Sequence, residues 1–203
     1  MHHEMSTAIP NALKGPGFWA VALPQLKDLV VRQQHLPAHS EQDEKIGEDD
    51  LMYTIDIPGR GEIQFAHAVF DFNGTLANAG DLLPDLSHAF FPVSNLLSCM
   101  ILTADSFGSV YTAVKSLPVQ VHVVKTGVDK AYYVEQLEGG VIAVGNGSND
   151  YDMFIQADLS IATAGPEGTA AKVLQVADII VPNIYTALDL IANPKKIIAT
   201  LRL

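Results

Sequence analysis

Positive charge and cysteine are both scarce in this sequence. Lys and Arg number 12 among 203 residues, against 23 Asp and Glu, so the formal net charge is −11. A chain this acidic is poorly suited to non-specific binding of nucleic acid or of an anionic membrane surface, and we expect neither as a partner. Because Cys99 is the sole cysteine, no disulfide can form within the chain.

Long hydrophobic runs are also missing. No stretch reaches the roughly 18 consecutive apolar residues of a membrane-spanning helix. The nearest candidate for a signal peptide, residues 18–23, ends at Pro24 and is not preceded by a basic leader. With 48% apolar and 17% charged residues, the composition is typical of a folded protein with a substantial core, and we expect it to be cytoplasmic.

The first 50 residues differ from the rest in being rich in turn-forming Pro and Gly and in ending on a polar run. Leu26, Leu29 and Val30 have the spacing of one face of a short helix. We expect residues 1–50 to form an N-terminal extension that is loosely structured or contains this helix, and residues 51–203 to form the main domain. A helix that docks a partner or mediates oligomerisation is the alternative for the extension.

Residues 51–203 alternate short apolar strands with helical segments, after a β-hairpin predicted over residues 53–67 around the turn 58–61. Strands are predicted at 68–70, 100–102, 119–124, 141–144, 159–162 and 179–181. Helices are predicted at 107–116, 130–137, 150–157, 168–177 and 186–203, the last broken near Pro194. This alternation predicts an α/β fold with a mostly parallel sheet and helices on both faces.

Polar residues follow three of these strands, and ligands of open parallel sheets bind beyond the carboxyl ends of the strands. Asp71 follows the first strand, Thr103 and Ala104 follow the second, and the loop 145–150 follows the fourth. Lys130 begins the helix that precedes that fourth strand. We expect these groups to converge on one edge of the sheet.

The residue types suit phosphoryl transfer. The carboxylate of Asp71 can attack phosphorus, while Lys130 supplies a positive charge and Thr103 a hydroxyl for the phosphoryl oxygens. Backbone N–H groups at Asn73 and Gly74 can add further hydrogen bonds, since glycine allows close approach. Asp71 and Asp150 also carry the hard oxygen ligands that Mg²⁺ prefers.

Four motifs make the sequence resemble the haloacid dehalogenase superfamily. Residues 69–76, VFDFNGTL, resemble its first motif, in which Asp, any residue, Asp, Gly, Thr and Leu or Val follow an apolar run. Thr103 and Lys130 match its second and third motifs. Residues 144–153, VGNGSNDYDM, resemble its fourth in the form found in P-type ATPases. The wider match resembles the cap-less branch called soluble P-type ATPase-like proteins.

This resemblance implies a Rossmann-like core and a magnesium-dependent site acting on a small phosphorylated substrate or a phosphoprotein. Asp71 would be the nucleophile. The implied phosphate-binding residues are Asn73, Gly74, Thr103, Ala104 and Lys130. The implied magnesium ligands are Asp71, Asn73 through its backbone carbonyl, Asn146 and Asp150.

Two positions depart from the family pattern. Asn73 replaces the Asp that protonates the leaving group and then activates water, and an amide cannot exchange that proton near neutral pH. We therefore expect slow hydrolysis of ordinary esters and less loss with acyl or aryl phosphates, because acid–base assistance is typically worth about 10²–10⁴ in rate. Asn146 replaces a family Asp, which removes a negative charge and should weaken magnesium binding.

The short spacings between motifs leave no room for a cap domain, because 32 residues separate Asp71 from Thr103 and 27 separate Thr103 from Lys130. An uncapped site is open, so we expect a large substrate or a homo-oligomer in which a second subunit covers it. Two other functions stay open: a non-catalytic module that binds phosphate or a partner, and a dehalogenase, which would need no metal.

Overall fold

The computed structural model of the chain describes residues 53–104 and 110–203. The predicted extension, residues 1–50, and the start of the predicted helix 107–116 lie outside the described residues. The strands are β1 Tyr53–Ile57, β2 Gly61–Phe70, β3 Ala77–Asn78, β4 Asp81–Leu82, β5 Ser98–Thr103, β6 Gln120–Val123, β7 Gly140–Gly145, β8 Leu159–Thr163 and β9 Ile179–Val181. The helices are α1 Leu86–Ser94, α2 Val110–Ala113, α3 Gly127–Glu135, α4 Tyr151–Gln156, α5 Ile184–Ala192 and α6 Pro194–Leu201.

The main sheet has the strand order β6-β5-β2-β7-β8-β9, and all of these neighbours run parallel. β1 pairs antiparallel with the first half of β2, which confirms the predicted hairpin. The second strand of the hairpin and the predicted strand 68–70 form one continuous strand, β2, which ends directly before Asp71. No helix in the described part of the chain is long and apolar enough to cross a membrane.

Successive side chains of the central strands enter two separate core layers. Ala68 and Phe70 pack in the layer covered by α1, α5 and α6, whereas Val69 packs in the layer covered by α3 and α4. A strand buried on both faces must be apolar throughout, which explains the unbroken apolar run before Asp71. The predicted Rossmann-like α/β fold, with a mostly parallel sheet between helices, is confirmed.

The helix predicted at residues 168–177 is wrong. The chain forms a loop there, with a single 3₁₀ turn at Val173–Gln175. Gly168 has a φ of +85°, and the N–H of Ala170 donates to the carbonyl oxygen of Asn146 at 2.8 Å. The left-handed backbone of Gly168 is incompatible with a right-handed helix at this residue, and the hydrogen bond of Ala170 ties the chain to the loop after β7.

Two other elements differ from their predictions. α3 begins at Gly127, ahead of Lys130, because the side chains of Thr126 and Asp129 form a capping box at its first turn. α1 has no counterpart among the predicted elements, and it contains Pro92, although proline ordinarily ends a helix. Its buried residues Leu86, Phe90 and Val93 nevertheless share one helical face, and this apolar contact stabilises the helix.

Candidate active site

Asp71 is the first residue after β2, at the carboxyl end of the central strand. Its backbone N–H donates to the carbonyl oxygen of Val144 at 2.9 Å, which extends the pairing of β2 with β7. The chain then turns sharply, because the N–H groups of residues 75–77 all point at the carbonyl oxygen of Phe72. This turn leaves the Asp71 side chain at the sheet edge, only 5% exposed.

Lys130 reaches Asp71 from α3. Its Nζ atom donates to Oδ1 of Asp71 at 2.5 Å and to Oδ1 of Asp150 at 2.7 Å. The lysine is 1% exposed, so its ammonium has exchanged its water shell for these two carboxylates. Three residues predicted from separate stretches of sequence thus form one buried charge cluster.

Burial changes the acid–base behaviour of this cluster. Burial raises the pKa of the Asp71 carboxyl from 3.8 to about 7, assisted by the charge of Asp150 and opposed by the Lys130 ammonium. Burial also acts to lower the pKa of Lys130, but the two carboxylates outweigh it and that pKa is raised. Lys130 therefore keeps its charge at neutral pH, and further positive charge at the site would favour ionised Asp71.

Asp150 is fully buried, and both of its carboxylate oxygens accept hydrogen bonds. Oδ1 accepts from Lys130, while Oδ2 accepts from the backbone N–H groups of Asn146 at 2.9 Å and Gly147 at 2.8 Å. The carboxylate thus shapes the loop after β7 and anchors the lysine. Its role as a direct metal ligand stays a prediction.

Asn146 joins three loops through its side-chain amide. Its Oδ1 accepts from the hydroxyl of Thr75 at 3.0 Å, and its Nδ2 donates to the carbonyl oxygen of Gly168 at 2.7 Å. A carboxylate could accept the first bond but could not donate the second. The same amide packs so closely on Gly74, whose φ is +79°, that a Cβ there would lie 2.3 Å from Nδ2.

A cavity of 480 Å³ opens beside Asp71. The predicted site residues that line it are Asp71, Asn73, Thr103, Ala104 and Asn146. Behind this lining lie the other three predicted residues, Gly74, Lys130 and Asp150. The structure therefore brings all the predicted site residues together at one edge of the sheet.

Sequence reasoning missed one side of this cavity. That side consists of Glu167, Gly168, Thr169 and Ala170, whereas Gly147 and Asn149 belong to the loop 145–150 that was predicted at the site. The turn-forming run Gly-Pro-Glu-Gly at residues 165–168 was the available clue, because two glycines around a proline predict a loop rather than the start of a helix. Glu167 adds a second carboxylate to the cavity lining.

The donor atoms of this cavity fit a hard cation. Oδ1 of Asn73 is buried without a hydrogen-bond partner among the described residues, and Asp71 presents carboxylate oxygen to the same cavity. The described residues contain no cluster of three or more His, Cys, Asp or Glu side chains placed to hold a metal. Mg²⁺ commonly uses one or two carboxylates, other oxygen donors and several waters, so Asp71 and Asn73 can hold it.

Comparisons with known proteins agree with the fold and motifs. The family model of haloacid dehalogenase-like hydrolases matches residues 86–185, which contain Thr103, Lys130 and Asp150 and begin after Asp71. The chain is 44% identical over 62 residues to the uncharacterized protein MJ0073 of Methanocaldococcus jannaschii, and this match covers 30% of the chain and 67% of that protein.

Three solved structures share the fold. One is 3-deoxy-D-manno-octulosonate 8-phosphate phosphatase of Moraxella catarrhalis with magnesium, phosphate and KDO bound (16% identity, TM-score 0.52, 68% of this chain and 94% of that chain). Another is the cobalt-bound deoxy-D-mannose-octulosonate 8-phosphate phosphatase of Haemophilus influenzae (12% identity, TM-score 0.52, 65% of this chain and 91% of that chain). The third is a zinc-transporting PIB-type ATPase (24% identity, TM-score 0.50, 59% of this chain and 20% of that chain).

The resemblance of the four motifs is thereby confirmed at the level of the superfamily, while the cap-less branch stays a prediction. The match to the family model, the shared fold and the convergence of the motif residues at one sheet edge agree with one another. Over residues 86–185 the chain is similar to the haloacid dehalogenase-like hydrolases.

Proposed function

We propose that the protein is a magnesium-dependent phosphohydrolase that transfers a phosphoryl group first to Asp71 and then to water. One observation carries the proposal: the Asp71 carboxylate, held by buried Lys130, borders a polar cavity. A carboxylate fixed beside a buried cation is oriented for attack on phosphorus without an entropic cost at the moment of reaction.

The surrounding groups suit the charge of a phosphoryl oxygen. Lys130 keeps one oxygen of Asp71 in place, so the carboxylate can present its other oxygen to phosphorus. The backbone N–H of Gly74 donates to the carbonyl oxygen of Ala77 at 2.8 Å, so it is not the donor for phosphate that was expected from the sequence. The proposed donors for the phosphoryl oxygens are the Thr103 hydroxyl and the backbone N–H groups of Asn73 and Ala104, which border the cavity. Mg²⁺ held by Asp71 and Asn73 would supply the positive charge that offsets the negative charge of the substrate.

Asn73 limits the substrates that such a site can turn over. Its amide gives no proton to a leaving group, so substrates whose leaving group departs unaided should react best. We therefore propose a small acyl or aryl phosphate, or a phosphoprotein with a comparable leaving group, as the substrate class. A second copy of the chain is the proposed cover of the open cavity, and a monodisperse monomer in light scattering would contradict this part.

A second candidate is a binding module with little or no turnover. The amide of Asn146 favours it, because both of its ends are used to join loops and it adds no charge to a metal site. Such a protein would bind phosphate or a phosphorylated partner without hydrolysing it.

The decisive assay compares p-nitrophenyl phosphate and acetyl phosphate, with and without Mg²⁺, for the natural sequence, Asp71→Asn and Asp189→Asn. The last variant is a matched control, because Asp189 pairs with Lys196 on the surface. We expect hydrolysis that requires both Mg²⁺ and Asp71 and that survives Asp189→Asn. Activity of the natural sequence no higher than that of Asp71→Asn would favour the binding module.

A further inference from the structure

The described lining of the cavity beside Asp71 holds one other side chain that can exchange a proton. Among the described residues that line it, Asp71 and Glu167 are the only ones with an ionisable side chain. Asp71 is occupied as the proposed nucleophile, and Asn73 has no exchangeable proton near neutral pH. Glu167 is thus the available proton acceptor among the described residues of the cavity wall.

Glu167 is held in place although its side chain is exposed. Its Oε1 accepts the backbone N–H of Ala79 at 2.8 Å, and Ala79 lies in the tight turn between β3 and β4 with a φ of +49°. The next residue, Gly168, is bound through its carbonyl oxygen to the amide of Asn146. One oxygen of the carboxylate is therefore fixed, and no described residue donates to the other, Oε2.

We propose, on the basis of the phosphohydrolase function above, that Glu167 is the general base for hydrolysis of phosphorylated Asp71. A water molecule between Oε2 and phosphorus gives its proton to Oε2 while its oxygen forms a bond to phosphorus. The bond between phosphorus and the Asp71 oxygen breaks, and its electron pair restores the carboxylate. Inorganic phosphate leaves, and exposed Glu167 returns its proton to solvent.

This assignment agrees with the substitution at residue 73. A good leaving group departs without an acid, so the first step can proceed with Asn73 in place. The second step still needs a base, because water is a weak nucleophile, and a positioned carboxylate is a suitable one. For such substrates Glu167 would replace the family aspartate in the one step that still needs it, the activation of water.

Glu167→Gln separates this role from the structural tether, because a glutamine oxygen can still accept the N–H of Ala79 but cannot take a proton. Glu167→Ala removes both the hydrogen bond to Ala79 and the proton acceptor. We would follow p-nitrophenolate release from p-nitrophenyl phosphate in a stopped-flow instrument, with Mg²⁺-loaded protein. For Glu167→Gln we expect a burst approaching one product per chain, then a steady-state rate about 100-fold below that of the natural sequence.

Three further observations decide the matter. The burst should vanish in Asp71→Asn/Glu167→Gln. Hydroxylamine, which attacks the carbonyl carbon of an acyl phosphate, should release about one inorganic phosphate per chain from burst-phase Glu167→Gln and leave Asp71 as a hydroxamate that cannot react again. A steady-state rate of Glu167→Gln within about twofold of the natural sequence, or a loss seen in Glu167→Ala alone, would overturn the assignment and leave Asp71 chemistry intact. Absence of Asp71-dependent release from the natural sequence would instead overturn the phosphohydrolase proposal, and the base with it.

Discussion

Nζ of Lys130 lies 2.7 Å from Oδ1 of Asp150 and also donates to Asp71, so one buried cation joins two buried carboxylates. The three side chains are at most 7% exposed. Charges removed from water in this way cost free energy unless each has a partner, and here each has one. Breaking the cluster should consequently lower stability as well as impair the proposed chemistry.

Lys130→Met should destabilise the protein strongly, because it leaves Asp71 and Asp150 buried without their common partner. We expect a loss of about 3–5 kcal/mol in the free energy of unfolding, measured by urea denaturation. Lys196→Met is the matched control, since Lys196 pairs with Asp189 on the surface, where such pairs contribute about 0–1 kcal/mol. Equal losses in the two variants would contradict the buried cluster.

The raised pKa of Asp71 predicts how the stability of the metal-free protein depends on pH. Between 3.8 and about 7, folded Asp71 holds a proton that the unfolded chain has lost. The bound proton stabilises the folded protein. This stabilisation is complete below pH 3.8 and is lost as pH rises toward 7, at up to about 1.4 kcal/mol per pH unit.

Urea denaturation of the natural sequence and Asp71→Asn, in EDTA between pH 4 and pH 8, tests this prediction. The difference in unfolding free energy between the two should change with pH in the stated direction, because asparagine does not titrate. Mg²⁺ should reduce that change, since a cation favours the ionised carboxylate. Parallel curves for the two proteins would show that burial does not raise the pKa of Asp71.

The sheet and the motif residues were predictable because short-range patterns determine them. An apolar run such as residues 68–70 predicts a buried strand, and parallel strands bring the residues that follow them to one edge. Asp71, Thr103 and Asn146 could therefore be placed in one site from their positions after strands. The hydrogen bonds of Asp150, in contrast, depend on how its loop folds back on Lys130.

The loop that completes the cavity was not predictable by the same means. Residues 170, 173, 174 and 177 are apolar and have helical spacing, so the pattern favoured a helix. The loop is fixed instead by contacts with distant residues, such as those of Gly168 with Asn146 and of Glu167 with Ala79. Glu167 was missed for this reason: the run Gly-Pro-Glu-Gly around it indicates a loop, but it carries no sign of these contacts.

Asn73→Asp should restore acid–base assistance if the cavity holds the leaving group beside this residue. We expect kcat on a poor leaving group, such as an alkyl phosphate, to rise by about 10²–10⁴, and kcat on acetyl phosphate to change much less. Steady-state kinetics on both substrates measure the ratio. Asn78→Asp, at the exposed end of β3, is the control for added charge. An equal effect on both substrates would contradict a role in protonating the leaving group.

Asn146→Asp should lower the stability of the metal-free protein and raise its affinity for Mg²⁺. The carboxylate can still accept from Thr75 but cannot donate to Gly168, whose carbonyl oxygen loses its partner, at a cost of about 1–3 kcal/mol in the metal-free protein. The added charge should tighten Mg²⁺ binding, so Mg²⁺ should raise the melting temperature more than it does for the natural sequence. Calorimetric titration with Mg²⁺ that shows unchanged affinity would place residue 146 outside the metal site.

Gly165→Ala should disrupt the cavity, because a Cβ at this position would lie 1.7 Å from the backbone carbonyl oxygen of Gly74. Backbone atoms on both sides of the contact have to move apart, and such overpacking costs about 1–3 kcal/mol. The displaced loop carries Glu167 and Gly168, so we expect lost hydrolysis of p-nitrophenyl phosphate as well as lower stability.

Gly168→Ala separates steric conflict from backbone strain within the same loop. Gly168 has a φ of +85°, but a Cβ at this position would have no atom within 4 Å, so its substitution should cost about 1–2 kcal/mol through strain alone. Denaturation and steady-state kinetics on both variants should show comparable losses of stability but a larger loss of kcat/KM for Gly165→Ala. Because only Gly165→Ala forces the loop away from Gly74, equal kinetics would mean that their close approach is not needed to form the active cavity.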